Sequence, residues 1–115
     1  MLPVEYRLKN KETFNAVFQK GKTISNEVLV MKFSPGAAGE TEIGFSAGLK
    51  FSKKASQRNK IKRWMREAAR PFLDKIKPGF QMIFLVNSKC DFRRLTLGLI
   101  QEKTENLLIK AKLLL

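Results

Sequence analysis

The sequence predicts an α+β fold, a two-layer α/β sandwich in which three helices pack on a small mixed sheet. Three segments have apolar residues every three or four positions, as amphipathic helices do, and the short apolar or alternating runs among them are typical of strands. The chain has 115 residues, of which 43% are hydrophobic, and this is enough to form one core. We therefore expect a single domain over residues 1–115.

The first helix is expected to begin just after Asn10 and to run to about Lys20. Asparagine is a favoured N-cap residue, and Gly21 is of the type preferred just beyond the end of a helix. Spacings of three and four residues give this helix one apolar face, formed by Phe14, Val17 and Phe18.

Three strands are expected after this helix. Residues 28–33 form an apolar run, and residues 42–47 alternate between apolar and polar or small residues. The loop at 34–39 contains proline and glycine and is short enough to join these strands as an antiparallel hairpin. The third strand, residues 80–86, is apolar on both faces, which suits a central position in the sheet.

Two more helices are expected in the second half of the chain. A basic helix from about Ser56 to Arg70 ends or kinks at Pro71, which has no N–H to donate. This helix joins the second and third expected strands, and a strand–helix–strand unit within one sheet favours a parallel crossover. The final helix covers about residues 94–113. Its mostly apolar stripe consists of Leu97, Ile100, Thr104, Leu107, Leu108 and Ala111.

The composition excludes several kinds of catalytic site. The chain has no histidine, which excludes a Ser-His-Asp triad and His-containing zinc sites, and Cys90 is its one cysteine. The 10 carboxylates are scattered, so a two-carboxylate site would have to be assembled by the fold. The formal net charge of +13 favours a protein that binds a polyanion over a self-sufficient enzyme.

The sequence also favours the cytoplasm. Its longest apolar runs, such as residues 82–86, are far shorter than the roughly 18–20 residues of a membrane-spanning helix. The amino terminus lacks the charged and then apolar order of a signal peptide. A lone cysteine cannot form an internal disulfide, which fits a reducing compartment.

Residues 50–70 carry the strongest indication of function. They hold nine basic residues and one acidic residue, Glu67, and so contribute +8 of the net charge. A helical projection places the apolar residues on one arc: Ile61, Trp64, Met65, Ala68, Ala69 and, if the helix continues past Pro71, Phe72. The opposite side carries Arg58, Asn59, Lys62, Arg63, Arg66 and Arg70.

Two interpretations of this charged side follow from the residues. A solvated surface is the usual role of a charge run, but solvated helices mix the two signs. Like charges one turn apart destabilise a helix by about 0.2–0.5 kcal/mol per pair. We therefore favour phosphate binding, for which arginine offers a planar pair of donors and lysine a point charge.

Residues 57–68, QRNKIKRWMREA, resemble the signature helix of the bacterial ribonuclease P protein subunit. That motif is an Arg-Asn-Arg core followed by Ile/Leu-Lys-Arg, two apolar residues and Arg. Further features match in order: residues 7–9 before a helix with two phenylalanines, residues 21–22 after it, and residues 43–46 before the basic segment. The resemblance covers most of the chain up to Val86.

The resemblance implies a fold and a role. The strand–helix–strand crossover of the family is left-handed, against the usual rule. Family members bind a large catalytic RNA, and the two together remove the 5′ leader from precursor tRNA. The RNA holds the catalytic Mg²⁺ and performs the hydrolysis. The chain would then be an RNA-binding domain with no catalytic residue, no metal ligand and no obligate protein partner.

The resemblance also assigns residues to these contacts. Contacts to the catalytic RNA would come from Arg58, Asn59, Lys60, Lys62, Arg63, Arg66 and Arg70. The cleft for the single-stranded leader would be lined by Phe14, Phe18 and Lys32. Aromatic rings stack on unpaired bases for about 1–3 kcal/mol per base. Two phenylalanines four residues apart are nevertheless more often part of a core, and this alternative stays open.

Four positions depart from the family pattern. Lys60 replaces the last arginine of the core motif, and Lys32 stands where an aromatic residue is common. Residues 52–55, Ser-Lys-Lys-Ala, replace a Gly-Lys-Ala turn, and Pro71 is unusual. Two other functions stay open: a general RNA-binding or ribosome-associated protein, and a protein whose basic amphipathic helix lies on anionic lipid.

Overall fold

The structure, a computed structural model, describes residue 8 and residues 11–36 and 41–114. They form the helices α1 (Lys11–Lys20), α2 (Ala55–Ala69) and α3 (Leu97–Lys110), and the strands β1 (Lys22–Ser25), β2 (Leu29–Pro35), β3 (Glu42–Ser46) and β4 (Phe80–Val86). Short 3-10 turns at Arg70–Phe72 and Phe92–Arg94 follow α2 and precede α3. The predicted N-cap Asn10, the neighbouring Arg7 and Lys9, and residues 37–40 of the predicted loop lie outside the described residues.

The sheet is built around β4. The strand order is β1-β2-β4-β3, with β4 antiparallel to β2 and parallel to β3, and with β1 antiparallel to β2 at the edge. The predicted α+β fold with a mixed sheet is therefore confirmed, as are the central position of residues 80–86 and the parallel crossover through α2. The left hand of that crossover stays a prediction.

The predicted hairpin between β2 and β3 is wrong. β4 lies between these two strands, so they do not pair with each other. The successive residues Met82, Ile83 and Phe84 are 0%, 0% and 1% exposed, so β4 is buried on both faces. Such a strand needs cover on both faces and partners at both edges. A short loop permits a hairpin, but the burial of β4 decides the pairing.

β1 is a strand that the sequence pattern does not predict. Lys22–Ser25 contains one apolar residue, Ile24, and its other residues are exposed. The strand forms by pairing with β2, and Asn26 closes the turn between them. The Asn26 Oδ1 atom accepts hydrogen bonds from the N–H groups of Val28 at 3.0 Å and Leu29 at 2.8 Å.

α2 and α3 pack on one face of the sheet and enclose the core. Burial alternates along strand β2, and every second residue points into this core: Leu29, Met31 and Phe33. The two helices contribute buried residues at helical spacing: Ile61, Met65 and Ala68 from α2, and Ile100, Leu107 and Leu108 from α3. These parts of the predicted apolar arcs are confirmed.

α3 begins three residues later than the predicted position 94. Thr96 caps it, because the Thr96 hydroxyl oxygen accepts a hydrogen bond from the Leu99 N–H at 3.1 Å. Leu97 is therefore the first residue of the helix, and it is 40% exposed. Leu97, the first residue of the predicted apolar stripe, is therefore not part of the buried core.

α1 packs on the opposite face of the sheet. Lys32, Ile83 and Gly44 are cross-strand partners, so their side chains share that face. Ile83 is fully buried there, and α1 contributes Val17, which is 2% exposed. The Phe14 ring packs directly over Gly44, since a Cβ atom at that position would lie 3.1 Å from it. The sheet is thus covered by helices on both faces.

Gly21 is tightly enclosed where α1 passes into β1. A Cβ atom there would lie 2.5 Å from the carbonyl oxygen of Val17 and 2.9 Å from that of Phe33. We predict that Gly21→Ala destabilises the protein by about 1–3 kcal/mol, measured from its urea unfolding curve. Gly98→Ala is the control, because a Cβ atom at this position in α3 meets no atom within 4 Å. Equal midpoints for the two variants would contradict the prediction.

An ion pair between Glu27 and Lys103 joins the β1–β2 turn to α3. The hydrogen bond from Lys103 is the main reason that the pKa of Glu27 lies below its ordinary value. Because the pKa of Glu27 is lower in the folded than in the unfolded protein, its charged form stabilises the fold at pH values above the ordinary glutamate pKa, about 4.3. This stabilisation is lost as the pH falls through the lowered pKa of the folded state. We predict that Glu27→Gln lowers the thermal midpoint at neutral pH and has no effect in strong acid. A difference that is the same at both pH values would show that the charge is not responsible.

Candidate nucleic-acid interface

α2 is anchored by one face and presents basic side chains elsewhere. Ile61, Met65 and Ala68 are 0%, 1% and 0% exposed in the core. The helix spans Ala55–Ala69, one residue earlier at each end than predicted, and passes into a 3-10 turn at Arg70, directly before Pro71. The predicted end or kink of the helix at Pro71 is confirmed.

The accessible part of α2 forms a surface that we call the α2 cationic face: Arg58, Asn59, Lys62, Arg63, Arg66 and Arg70. Each of these residues is exposed or half-buried. Within the described residues, the carboxylate that pairs with this face is Glu67, which lies 3.8 Å from Arg70. Lys62, Arg63 and Arg66 form no ion pair in that part of the chain. Most of the positive charge on this face is therefore available to an anionic partner.

Arg58 is held by the loop that precedes α2. Its Nη1 atom donates a hydrogen bond to the Ser52 carbonyl oxygen at 2.9 Å. The Ser52 hydroxyl donates to Gln57 Oε1 at 2.6 Å and accepts from the Lys54 N–H at 3.1 Å. Residues 52–55, which differ from the family pattern, are thus joined by hydrogen bonds to the first turn of α2. They orient the Arg58 guanidinium and leave most of its five N–H donors for a partner.

Lys60 lies apart from the α2 cationic face. Its Nζ atom is 5.0 Å from the centre of the Trp64 ring and 5.9 Å from that of Phe92, both within cation–π range. On a helix, residue 60 points roughly 160–200° away from Arg58 and Lys62. The structure brings the other assigned residues together, whereas the Lys60 ammonium lies over Trp64 and Phe92 on the flank of α2 beyond Arg63. RNA binding by Lys60 stays a prediction.

The side chains assigned to the leader meet between α1 and β2 in what we call the α1–β2 cleft: Phe14, Phe18 and Lys32. The two phenylalanine rings stack with centroids 6.4 Å apart and planes at 15°. Phe14 is half-buried, whereas Phe18 is 40% exposed. The Lys32 Nζ atom lies 4.6 Å from the centre of the Phe18 ring. Phe14 therefore contributes to packing, and Phe18 is the open aromatic residue of the cleft.

A second aromatic cluster lies on the Lys60 flank of α2 and was not predicted from the sequence. Trp64 stacks on Phe92 with centroids 6.1 Å apart and planes at 4°, and Phe51 meets Phe92 edge-on at 6.4 Å. Spacing placed Trp64 on the apolar arc of α2, where it is half-buried. The other two residues come from segments without a periodic pattern, so no local signal could have paired them with it.

The described residues hold no group of three His, Cys, Asp or Glu side chains placed to bind a metal ion. None of the described helices is long and apolar enough to cross a membrane. Cys90 is a free thiol whose pKa is raised by burial and, to a smaller extent, by Glu27. It therefore stays protonated at neutral pH, and the thiol form is a poor nucleophile.

Comparison of the sequence with known proteins points to one family. The family model described as Ribonuclease P matches residues 2–112. The ribonuclease P protein component of Synechococcus sp. (strain JA-2-3B'a(2-13)) is 34% identical over 118 residues, which cover 99% of this chain and 87% of that protein. The corresponding protein of Thermotoga maritima is 34% identical over 104 residues, which cover 89% of this chain and 88% of that protein.

Solved structures with a similar fold agree with this result. The Staphylococcus aureus RNase P protein superposes with a TM-score of 0.80 at 26% identity, over 96% of this chain and 98% of that chain. The Thermotoga maritima RNase P protein gives a TM-score of 0.78 at 33% identity, over 90% of this chain and 96% of that chain. Family model, sequence relatives and fold all agree, and the chain belongs to the ribonuclease P protein family.

Proposed function

We propose that this chain acts as the protein subunit of a ribonuclease P ribonucleoprotein, in which it binds the catalytic RNA and the 5′ leader of precursor tRNA. Membership of the family supports this role in tRNA processing. The observation that carries it is the α2 cationic face, where Lys62, Arg63 and Arg66 have no ion-pair partner in the described chain. A folded RNA supplies the phosphates that such a surface attracts.

The α2 cationic face is suited to a structured RNA. The guanidinium groups of Arg58, Arg63 and Arg66 present paired donors to phosphate oxygens, and Lys62 acts as a point charge. Because the apolar side of α2 is fixed in the core, these side chains start from a rigid helix, which limits the entropy lost on binding. Asn59 lies exposed among them and can hydrogen-bond a base edge or a 2′-hydroxyl.

The α1–β2 cleft is suited to a single strand. Phe18 offers an exposed aromatic ring, and the Lys32 ammonium lies over it, 4.6 Å from the ring centre. A base that stacks on this ring displaces the ammonium, which is then free to contact a phosphate. The base and the phosphate of one nucleotide can therefore contact this pair together. Stacking is tolerant of sequence, because every base has a π-face. This property fits a site that accepts the leaders of many different precursor tRNAs.

We assign hydrolysis to the RNA subunit, which also holds the catalytic Mg²⁺. The side chains of the two surfaces can position phosphates and reduce their mutual repulsion, but they are not a ligand set for a divalent cation, which requires carboxylate or carbonyl oxygens. The partners are then the catalytic RNA and precursor tRNA in the cytoplasm, without an obligate protein partner. The chain contributes binding and orientation of the leader for endonucleolytic cleavage.

Removing charge from the α2 cationic face should weaken binding to the catalytic RNA in a salt-dependent way. For the double variant Lys62→Ala/Arg66→Ala, the slope of log affinity against log salt should become shallower by about 1.4–1.8, because each phosphate contact contributes roughly 0.7–0.9. Fluorescence anisotropy with labelled catalytic RNA, measured across a salt series, gives this slope.

The charge-matched control is Lys75→Ala/Lys110→Ala, which also removes two exposed cations, lies outside the α2 cationic face and should leave the slope nearly unchanged. The urea midpoint of each variant shows whether the fold is intact. A folded double variant whose slope equals that of the parent would overturn the assignment of the α2 cationic face.

The leader contact is tested by combining a cleft variant with two substrates. Phe18→Leu keeps an apolar side chain and removes the aromatic face, so the preference for a long leader should fall about fivefold or more, which corresponds to about 1 kcal/mol of stacking. The preference is the ratio of kcat/KM for precursor tRNAs with a long leader and with a single-nucleotide leader. An equal effect on both substrates would favour a general RNA-binding protein instead.

A further inference from the structure

A cleft of about 440 Å³ beside the start of α2 has no role in the proposed function. The loop before α2 forms one side of it with Phe51, Lys53 and Lys54, and the turn before α3 forms the other with Phe92 and Arg93. Its volume lies within the roughly 300–1,000 Å³ of small-molecule binding clefts. The cleft is therefore large enough for a ligand of nucleotide size.

Aromatic rings form one wall of this cleft. Phe51 and Phe92 are both partly exposed and meet edge-on with centroids 6.4 Å apart. Phe92 is stacked on Trp64 at 6.1 Å, and the Lys60 ammonium lies over both of these rings. Phe92 is thus held by its neighbours, and a ligand that stacks on it does not have to order the ring first.

The rest of the cleft is positively charged. Lys53 and Lys54 are exposed and form no ion pair within the described residues. Arg93 neutralises Asp91 through a contact of 3.0 Å between Nη2 and Oδ2. Burial raises the pKa of Cys90, so this thiol adds no negative charge at neutral pH. Aromatic faces and net positive charge therefore occur together in one cleft.

The cleft adjoins the α2 cationic face at the start of α2, where Arg58 donates a hydrogen bond to the carbonyl oxygen of Ser52, a residue that lines the cleft. Its aromatic wall continues to Trp64 and Lys60, which lie roughly 180° and 140° around the helix from the centre of the ridge formed by Lys62 and Arg66. Arg63 is the member of the α2 cationic face nearest to Lys60, roughly 60° away. An RNA bound to the α2 cationic face can therefore reach the cleft with a segment that passes around the start of α2. A projecting single strand is flexible enough to do this.

We propose that this cleft binds one unpaired nucleotide of the RNA partner, with its base against Phe51 and Phe92 and its phosphate at Lys53 and Lys54. Paired bases hide their faces in the helical stack, so an aromatic wall selects an unpaired base. Gln57 also lines the cleft, and its side-chain oxygen is engaged by Ser52, which leaves its amide N–H groups for a base edge. The proposal rests on the proposed function for the identity of the partner as RNA.

Fluorescence of the free protein tests this proposal. Trp64 is the one tryptophan of the chain, and its stacking on Phe92 makes its emission sensitive to ligands in the cleft. A 5′-phosphorylated single-stranded tetrauridylate should change this emission in a saturable way. Phe92→Leu should raise the Kd about fivefold or more, the effect of losing one stacked base. Lys53→Ala/Lys54→Ala should raise the Kd and reduce its dependence on salt.

The control is Lys110→Ala, which removes an exposed cation from α3 that does not line the cleft and should leave the Trp64 titration unchanged. An unchanged Kd in a folded Phe92→Leu variant would overturn the proposal. If that variant does not fold, an unchanged Kd in Lys53→Ala/Lys54→Ala would overturn it. An equal response to inorganic phosphate or to a tetra-aspartate peptide would also do so. The titration needs no catalytic RNA, so its result is independent of the leader-preference assay that tests the proposed function.

Discussion

The burial of β4 on both of its faces is the constraint on which the rest of the structure depends. Met82 and Phe84 pack in the core beneath α2 and α3, and Ile83 is buried on the opposite face, beneath α1. Cover on both faces places β4 inside the sheet, separates β2 from β3 and makes α2 the crossover between parallel strands. The two proposed RNA-binding surfaces follow from this arrangement, because α2 lies over one face and the α1–β2 cleft opens on the other.

The same core allows α2 to carry its charge without a partner. Repulsion between like charges one turn apart costs about 0.2–0.5 kcal/mol per pair. Burial of a large apolar side chain such as Ile61 or Met65 contributes roughly 1.5–3 kcal/mol. The apolar anchors therefore outweigh the repulsion on the α2 cationic face, and the helix stays folded although Lys62, Arg63 and Arg66 have no ion-pair partner among the described residues. RNA binding then needs little rearrangement of this element.

The spacing of apolar residues along the sequence was enough to predict α1, α2 and β4. It also predicted the α2 cationic face, because that surface depends on the periodicity of one helix. Spacing was not enough where pairing is decided by distant residues. β1 has one apolar residue and exists because β2 offers it an edge, and the hairpin prediction failed because β4 competes for the same edges. The position of Lys60 in the motif predicts that it contacts RNA with its neighbours. The contacts of its ammonium group with the Trp64 and Phe92 rings, which come from the tertiary fold, determine where its charge lies.

Lys32 covers the one open aromatic face of the α1–β2 cleft in the free protein. A base that stacks on Phe18 must displace the ammonium group from the ring. The stacking energy is then reduced by the cation–π attraction that it replaces, which is worth about 0.5–1 kcal/mol at an exposed site. A neutral aromatic molecule loses this part of its stacking energy without compensation. A nucleotide offers the displaced ammonium a phosphate, and Lys32 thereby gives the cleft a preference for rings that carry a negative charge.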